Sequence, residues 1–189
     1  PGMHRTILLF LLALALGCEN PDVDPGPPPA PQNAAAFDGE VLEAITEART
    51  AAETNPTSAI ARRTLGLLYL ANGGPSEASE AFRQAIVLNP QDARAWAWHA
   101  MANEKRGAVE EAIASMEQAR QLAPEQRPLW WRPAFWKLEA GRPEEALRDF
   151  EYVGSLETPG RPAADGAAHR IGQARCLLEL DRASEAVTI

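Results

Sequence analysis

The side chains in this chain that could do chemistry are few: His99 and His169, Cys18 and Cys176, and the carboxylate pairs Glu110-Glu111 and Glu144-Glu145. A histidine works as a base or metal ligand when a partner is held at a set spacing, and neither of these two has one. The sequence contains no His-Glu-x-x-His, no paired Cys-x-x-Cys, no Gly-x-Ser-x-Gly, no phosphate-cradling glycine loop and no dinucleotide fingerprint. Each histidine therefore reads as a helix residue, and Cys176, on a helical stretch, as a small buried hydrophobe rather than a nucleophile. Two adjacent carboxylates suggest acid–base work, yet both pairs fall where a helix begins, and negative charge there favours the helix dipole. No catalytic residue, metal, cofactor or small-molecule substrate is expected, and the chain as given reads as no enzyme.

Composition narrows the partner as well. Eighteen Lys and Arg against twenty-six Asp and Glu give a net charge of −8, which leaves no footprint for gripping a phosphate backbone, so nucleic acid is excluded as an expected partner. With 46% apolar residues, 23% charged, 13 Gly, 16 Pro and two Cys, the 189 residues describe an ordinary folded domain carrying something proline-rich.

The first segment reads as an address. After Met3, His4 and Arg5, ten unbroken apolar residues run from Ile7 to Leu16, half of the roughly 20 that a helix needs to cross a bilayer and the length of a signal-peptide core. Ala15-Leu16-Gly17-Cys18 follows and resembles the lipobox of bacterial lipoproteins, with Ala15 and Leu16 in the reverse of the commonest order. That resemblance implies cleavage after residue 17, lipidation of Cys18 and a bacterial cell-envelope protein facing the periplasm. Several acyl chains would hold such a protein on its membrane permanently. Glu19 in place of the Asp that signals inner-membrane retention favours the outer membrane. Residues 18–37 then hold Pro21, Pro25, Pro27, Pro28, Pro29 and Pro31, which predicts a disordered, polyproline-like tether.

A period of 34 residues runs through the rest: Asn55-Pro56, Asn89-Pro90 and Ala123-Pro124 recur at that interval, as expected of stacked helix pairs. In register, residues 59–92 carry Leu65, Gly66, Tyr69, Ala78, Phe82, Ala85 and Pro90. These match the pattern of the tetratricopeptide repeat family, although Arg62 stands where the family usually has Trp. Residues 93–126 keep Trp96, Ala112, Met116, Ala119 and Pro124, with His99, Ala100 and Asn103 replacing Leu, Gly and Tyr. Residues 127–160 keep Trp130, Gly141, Ala146 and Phe150, with Pro159 one residue late and Pro133 an irregularity in the first helix. The resemblance implies an all-α fold, a right-handed superhelical solenoid of antiparallel helix pairs. Its small residues allow close helix approach, and its aromatic residues fill the gaps between repeats. Gly73-Gly74, Gly107 and Gly141 fall at turns that call for positive φ.

The flanks continue this register. Residues 38–56, with Ala44, Ala48 and Ala51 at second-helix spacing, read as a half repeat capping the N-terminal end. Residues 167–189 read as a fourth repeat, its first helix presenting Ile171, Ala174, Leu177 and Leu178 on one side. That repeat stops inside its second helix at Ile189, which suggests a truncated sequence.

In tetratricopeptide arrays the first helices line the concave face. By that resemblance the groove here would be lined by Arg63, Leu67 and Leu70, by Arg94, Trp98, Met101 and Lys105, and by Trp131, Arg132, Phe135 and Leu138, an aromatic surface with cationic rims suited to a protein or peptide. Members that clamp a terminal carboxylate use Lys and Asn at positions that here hold Arg63, Leu67, Trp98, Pro128 and Arg132, so an apolar or proline-rich ligand fits better. Trp131 and Phe135 have a second reading, as packing around Pro133. The function expected is a scaffold or adaptor for another envelope protein. The alternatives are the regulatory part of a larger enzyme and a self-associating structural module.

Overall fold

The computed structural model describes residues 23–126, 128–155 and 166–189, and all of their side chains except those of residues 128–130, 166 and 167. The signal segment, Cys18 and Pro159 therefore lie outside the described residues, as does the side chain of Trp130. After a short 3-10 turn at Ala34–Ala36, the regular structure among the described residues is helical. The helices are α1 (Gly39–Thr54), α2 (Ala59–Ala71), α3 (Pro75–Leu88), α4 (Ala93–Lys105), α5 (Val109–Leu122), α6 (Pro128–Glu139), α7 (Pro143–Ser155), α8 (Gly166–Glu179) and α9 (Ala183–Ala186). They form two compact units, one up to Gly107 and one from Ala108 onward.

In the first unit the α2–α3 pair is built around a glycine. A Cβ on Gly66 would sit 2.8 Å from Cε1 of Phe82, so the absence of a side chain is what lets the Phe82 ring lie flat on the facing helix. Leu65, Tyr69, Ala78, Ala81 and Phe82 are all fully buried there, and each large apolar side chain removed from water contributes about 1.5–3 kcal/mol. Ser58 caps α2, its hydroxyl accepting from the Ala61 amide at 3.3 Å, and Pro75 opens α3 where its missing N–H costs nothing. Between them Gly73 has φ +81°, and the Gly74 amide reaches back to the Tyr69 carbonyl at 2.8 Å, the closure that satisfies a helix's last carbonyls. Gly141 (φ +72°) closes α6 in the same way, through Arg142 N to Lys137 O at 2.9 Å.

The capping helix α1 is present, but its buried stripe is displaced from the expected alanines. Ile45 and Ala52 are fully buried, Val41 and Ala48 pack against the same core, and Ala51 is exposed. The branched Ile45 takes the inward position because it buries more apolar surface than a methyl can. The larger correction concerns the proline segment. Pro25 and Pro28 are buried, and three hydrogen bonds fasten residues 27–32 to α2 and α3. From residue 24 to 32 the chain is thus a docked strap and not a disordered tether.

The second unit has its own core, with Ala134, Leu138, Ala146, Leu147, Phe150, Cys176 and Leu177 buried together. Pro133 lies inside α6 rather than delaying it, because the carbonyl it leaves without a partner belongs to the first turn, and its ring is fully buried. Trp130 and Trp131 are accordingly helical. On α8 the inward face is His169, Gly172, Cys176 and Leu177, whereas Ile171 and Leu178 are each 58% exposed. The reason is again steric: a Cβ on Gly172 would lie 2.3 Å from Cζ of Phe150, so α8 can meet α7 only along its glycine. Beneath this core Lys137, nearly buried, donates to Asp149 Oδ2 at 2.7 Å and to Glu117 Oε1 at 2.8 Å, while Arg120 donates to Asp149 Oδ1 at 2.9 Å.

Two stability outcomes follow from these contacts, both read as urea midpoints. Gly66→Val drives methyl groups into the Phe82 ring and lowers stability by about 1–3 kcal/mol, whereas Gly39→Ala, whose Cβ meets nothing within 4 Å, leaves it unchanged or slightly higher. Asp149→Ala leaves the buried Lys137 with Glu117 alone and takes from Arg120 its nearer carboxylate, which costs about 1.5–3 kcal/mol. Lys137→Met costs less, because Asp149 keeps Arg120.

Candidate functional site

Two surfaces can be assembled from these elements, one on α4 and one where the strap crosses α2 and α3. On α4, Arg94, Trp98, Met101 and Lys105 recur at four, three and four residues and so share one helix face. Asp92 sets the start of this stripe. It caps α4, accepting from the Arg94 amide at 3.0 Å, and holds Arg63 of α2 in an ion pair. Arg94 itself keeps 70% of its side chain exposed, its Nε 3.6 Å from Asp92. Trp98 is 40% exposed, Met101 half-buried and Lys105 exposed, giving an apolar centre between two cations. Leu67 and Leu70 on α2 are half-buried against the first unit's core.

Of the residues expected to continue this lining in the second unit, Trp131 and Arg132 are half-buried and Leu138 is not at the surface. The Trp131 ring meets Phe135 edge-on, with centroids 6.1 Å apart, and Phe135 meets Phe150 edge-on at 4.9 Å. The Arg132 guanidinium lies 5.4 Å from the Trp131 ring. Leu138, at 3% exposure, is a core residue and lines no surface. Helical spacing brings Leu138 inward of the half-buried Trp131 and Phe135.

The strap surface was not legible as a site. Tyr69 donates its hydroxyl to the Pro29 carbonyl at 2.9 Å, and Gln84 donates its amide to the Pro27 carbonyl at 2.9 Å. Glu77 accepts from the Gln32 amide at 3.0 Å. Behind them Arg62, 2% exposed, donates to Gln84 Oε1 at 2.6 Å and so fixes which end of that amide faces the strap. Burial pulls the Arg62 guanidinium below its ordinary pKa, opposed by the charges of Asp24, Glu53 and Glu80. Burial also pushes the Tyr69 phenol up to about 12, so it remains a hydrogen-bond donor throughout neutral and mildly alkaline pH. The signal available in the sequence was Arg62 itself, a cation at a position the family fills with Trp.

The residues weighed for chemistry have structural settings. Burial raises the Cys176 thiol to about 11, which leaves it protonated near neutrality. Glu110 and Glu111 lie in the first turn of α5, and Glu144 and Glu145 in that of α7. Glu145 is held ionised chiefly by its hydrogen bonds from Arg142, at 2.6 and 2.8 Å. Among the described residues no group of three His, Cys, Asp or Glu could hold a metal ion, and no helix is long and apolar enough to cross a membrane.

The repeat-defining residues sit where close helix packing needs them. Ala85, Ala112, Met116, Ala119, Ala146 and Phe150 are at most 2% exposed, and Trp96 donates its indole N–H to the Pro90 carbonyl at 2.9 Å. Tyr69, Asn103 and Lys137, one repeat apart, are all buried; Asn103 takes the aromatic position by accepting from Ser79 Oγ at 2.7 Å.

Comparison with known proteins agrees with this geometry. Residues 63–127 match the tetratricopeptide repeat family model. No curated protein matches the chain in sequence. Among solved structures, a crystal structure of MamA is similar to it with a TM-score of 0.71 and 20% identity over 79% of this chain and 84% of that one. MamA of AMB-1 is similar with a TM-score of 0.68 and 15% identity over 82% of this chain and 81% of that one. A MamA fragment from Desulfovibrio magneticus RS-1 gives 0.58 and 22% over 62% and 67%. The matched segment, the 34-residue register and the paired helices together identify residues 63–127 as tetratricopeptide repeats, in a chain whose fold is similar to that of MamA.

Proposed function

We propose that this chain is an envelope lipoprotein, anchored through Cys18 and facing the periplasm from the outer membrane, whose repeats bind another envelope protein as an adaptor. The observation that carries the binding part is the α4 stripe: a large aromatic side chain, Trp98, kept 40% exposed between Arg94 and Lys105 on a helix whose other face is core. Exposed aromatic residues flanked by cations are the composition of binding hot spots, and a solenoid of short repeats offers surface rather than a catalytic cleft. The anchoring part rests on the apolar run of residues 7–16 and the cysteine placed directly after Gly17. The absence of any motif-spaced catalytic group in the sequence favours a binding role over an enzymatic one.

Lipidation is tested by Cys18→Ser, which should move the protein from the membrane to the soluble fraction and abolish fatty-acid labelling; unchanged partition overturns the anchor. Binding is tested by capture from solubilised envelopes with the intact protein and an Arg94→Glu/Trp98→Ala variant of equal helicity. A partner retained by the first and lost from the second is expected. Identical capture by both removes the site from α4.

A further inference from the structure

We propose that the α2–α3 face under the strap is a recognition site for proline-rich segments in the polyproline II conformation, occupied at rest by this chain's own residues 24–32. The proposal deepens the protein-binding reading by naming a ligand class, and it does not depend on the lipid anchor.

The strap's sequence selects that conformation. Proline fixes its own φ near −65° and pushes the preceding residue into the extended region, which constrains Pro27-Pro28-Pro29 and Ala30-Pro31 throughout. Burial follows the threefold period of a polyproline helix. Pro25 and Pro28 are buried and Pro31 half-buried at that spacing, with Pro29 half-buried beside them, while Pro27 and Ala30 are exposed. Ahead of this run, Asp24 accepts from the Gly26 amide at 2.8 Å and Gly26 takes φ +82°, a turn that places Pro25 inward as well.

The face is complementary to such a segment group by group. A polyproline helix has no internal hydrogen bonds and, being mostly proline, offers carbonyls and almost no N–H. The α2–α3 face presents donors to those carbonyls, the Tyr69 hydroxyl at Pro29 and the Gln84 amide at Pro27. To the N–H of Gln32 the face presents an acceptor, Glu77. The donors are also preset: Arg62 orients the Gln84 amide, and burial keeps Tyr69 protonated. Because a polyproline segment loses little conformational freedom on docking, few such contacts suffice. The site is separate from the α4 stripe, and Arg62 and Tyr69 lie about 100° round α2 from Arg63 and Leu70.

A segment tethered in cis competes at an effective concentration on the order of millimolar, so a peptide in trans should bind only when the strap is weakened. The test uses the full chain in mild detergent and a fluorescent peptide of residues 23–33, read by anisotropy. The Pro25→Ser/Pro28→Ser chain should bind the peptide at least tenfold more tightly than the unaltered chain. Adding Tyr69→Phe, which removes one hydroxyl, should weaken that binding by about three- to tenfold, and a peptide with the same two prolines changed to serine should not bind. No binding by a variant of native helicity, or equal binding of both peptides, overturns the proposal. If the variant loses helicity, the unaltered chain decides: millimolar peptide should accelerate hydrogen exchange at the Gln32 amide, the serine peptide should not, and unchanged protection overturns the site. The assay reads the α2–α3 face alone, so its failure is distinguishable from loss of capture through Trp98.

Discussion

The structure depends on how closely two antiparallel helices can approach. At Gly66 the facing ring of Phe82 lies 2.8 Å from where a Cβ would be, and at Gly172 the ring of Phe150 lies 2.3 Å from that point. Each contact is an aromatic plate laid on bare backbone, and alanines such as Ala78, Ala85, Ala112, Ala119 and Ala146 extend the same closeness along the pairs. Closeness of this order leaves the outward faces as the surface on which a partner could be met, and the proposed Arg94, Trp98 and Lys105 stripe stands on one of them.

The positions that carry polar atoms into these cores show how the repeats diverge without losing the fold. Tyr69, Asn103 and Lys137 occupy one phase of the 34-residue period and are all buried, yet each is satisfied differently, by the Pro29 carbonyl, by Ser79 and by the carboxylates of Asp149 and Glu117. A buried polar group must find a partner wherever it stands. In the first repeat the partner lies outside the helices, on a segment that precedes them in the chain. The strap is thus part of how the first repeat closes its polar accounting at Tyr69 and Gln84 as well as a ligand-like occupant.

The sequence by itself determined the helical class, the period, the turn glycines and the residues that define each repeat, because these follow from local rules. Gly, Asn and Pro punctuate helices wherever they stand, and the small-and-aromatic pattern repeats at a spacing that only stacked helix pairs satisfy. The proposed address at residues 7–18 likewise rests on the linear chain alone. Only the tertiary structure decided which face of each helix turns inward. Ile45 and Ala52 took the place expected of Ala44 and Ala51, Gly172 set the face of α8, and Leu138 went into the core. It also decided that residues 24–32 dock rather than trail. Composition speaks to whether a proline-rich segment can build a core of its own, and says nothing of whether a neighbouring face offers two donors at the spacing of its carbonyls. That match joins residues 40 to 57 positions apart in the chain, and a contact of that range exists only once the helices have brought Arg62, Tyr69 and Gln84 to one side.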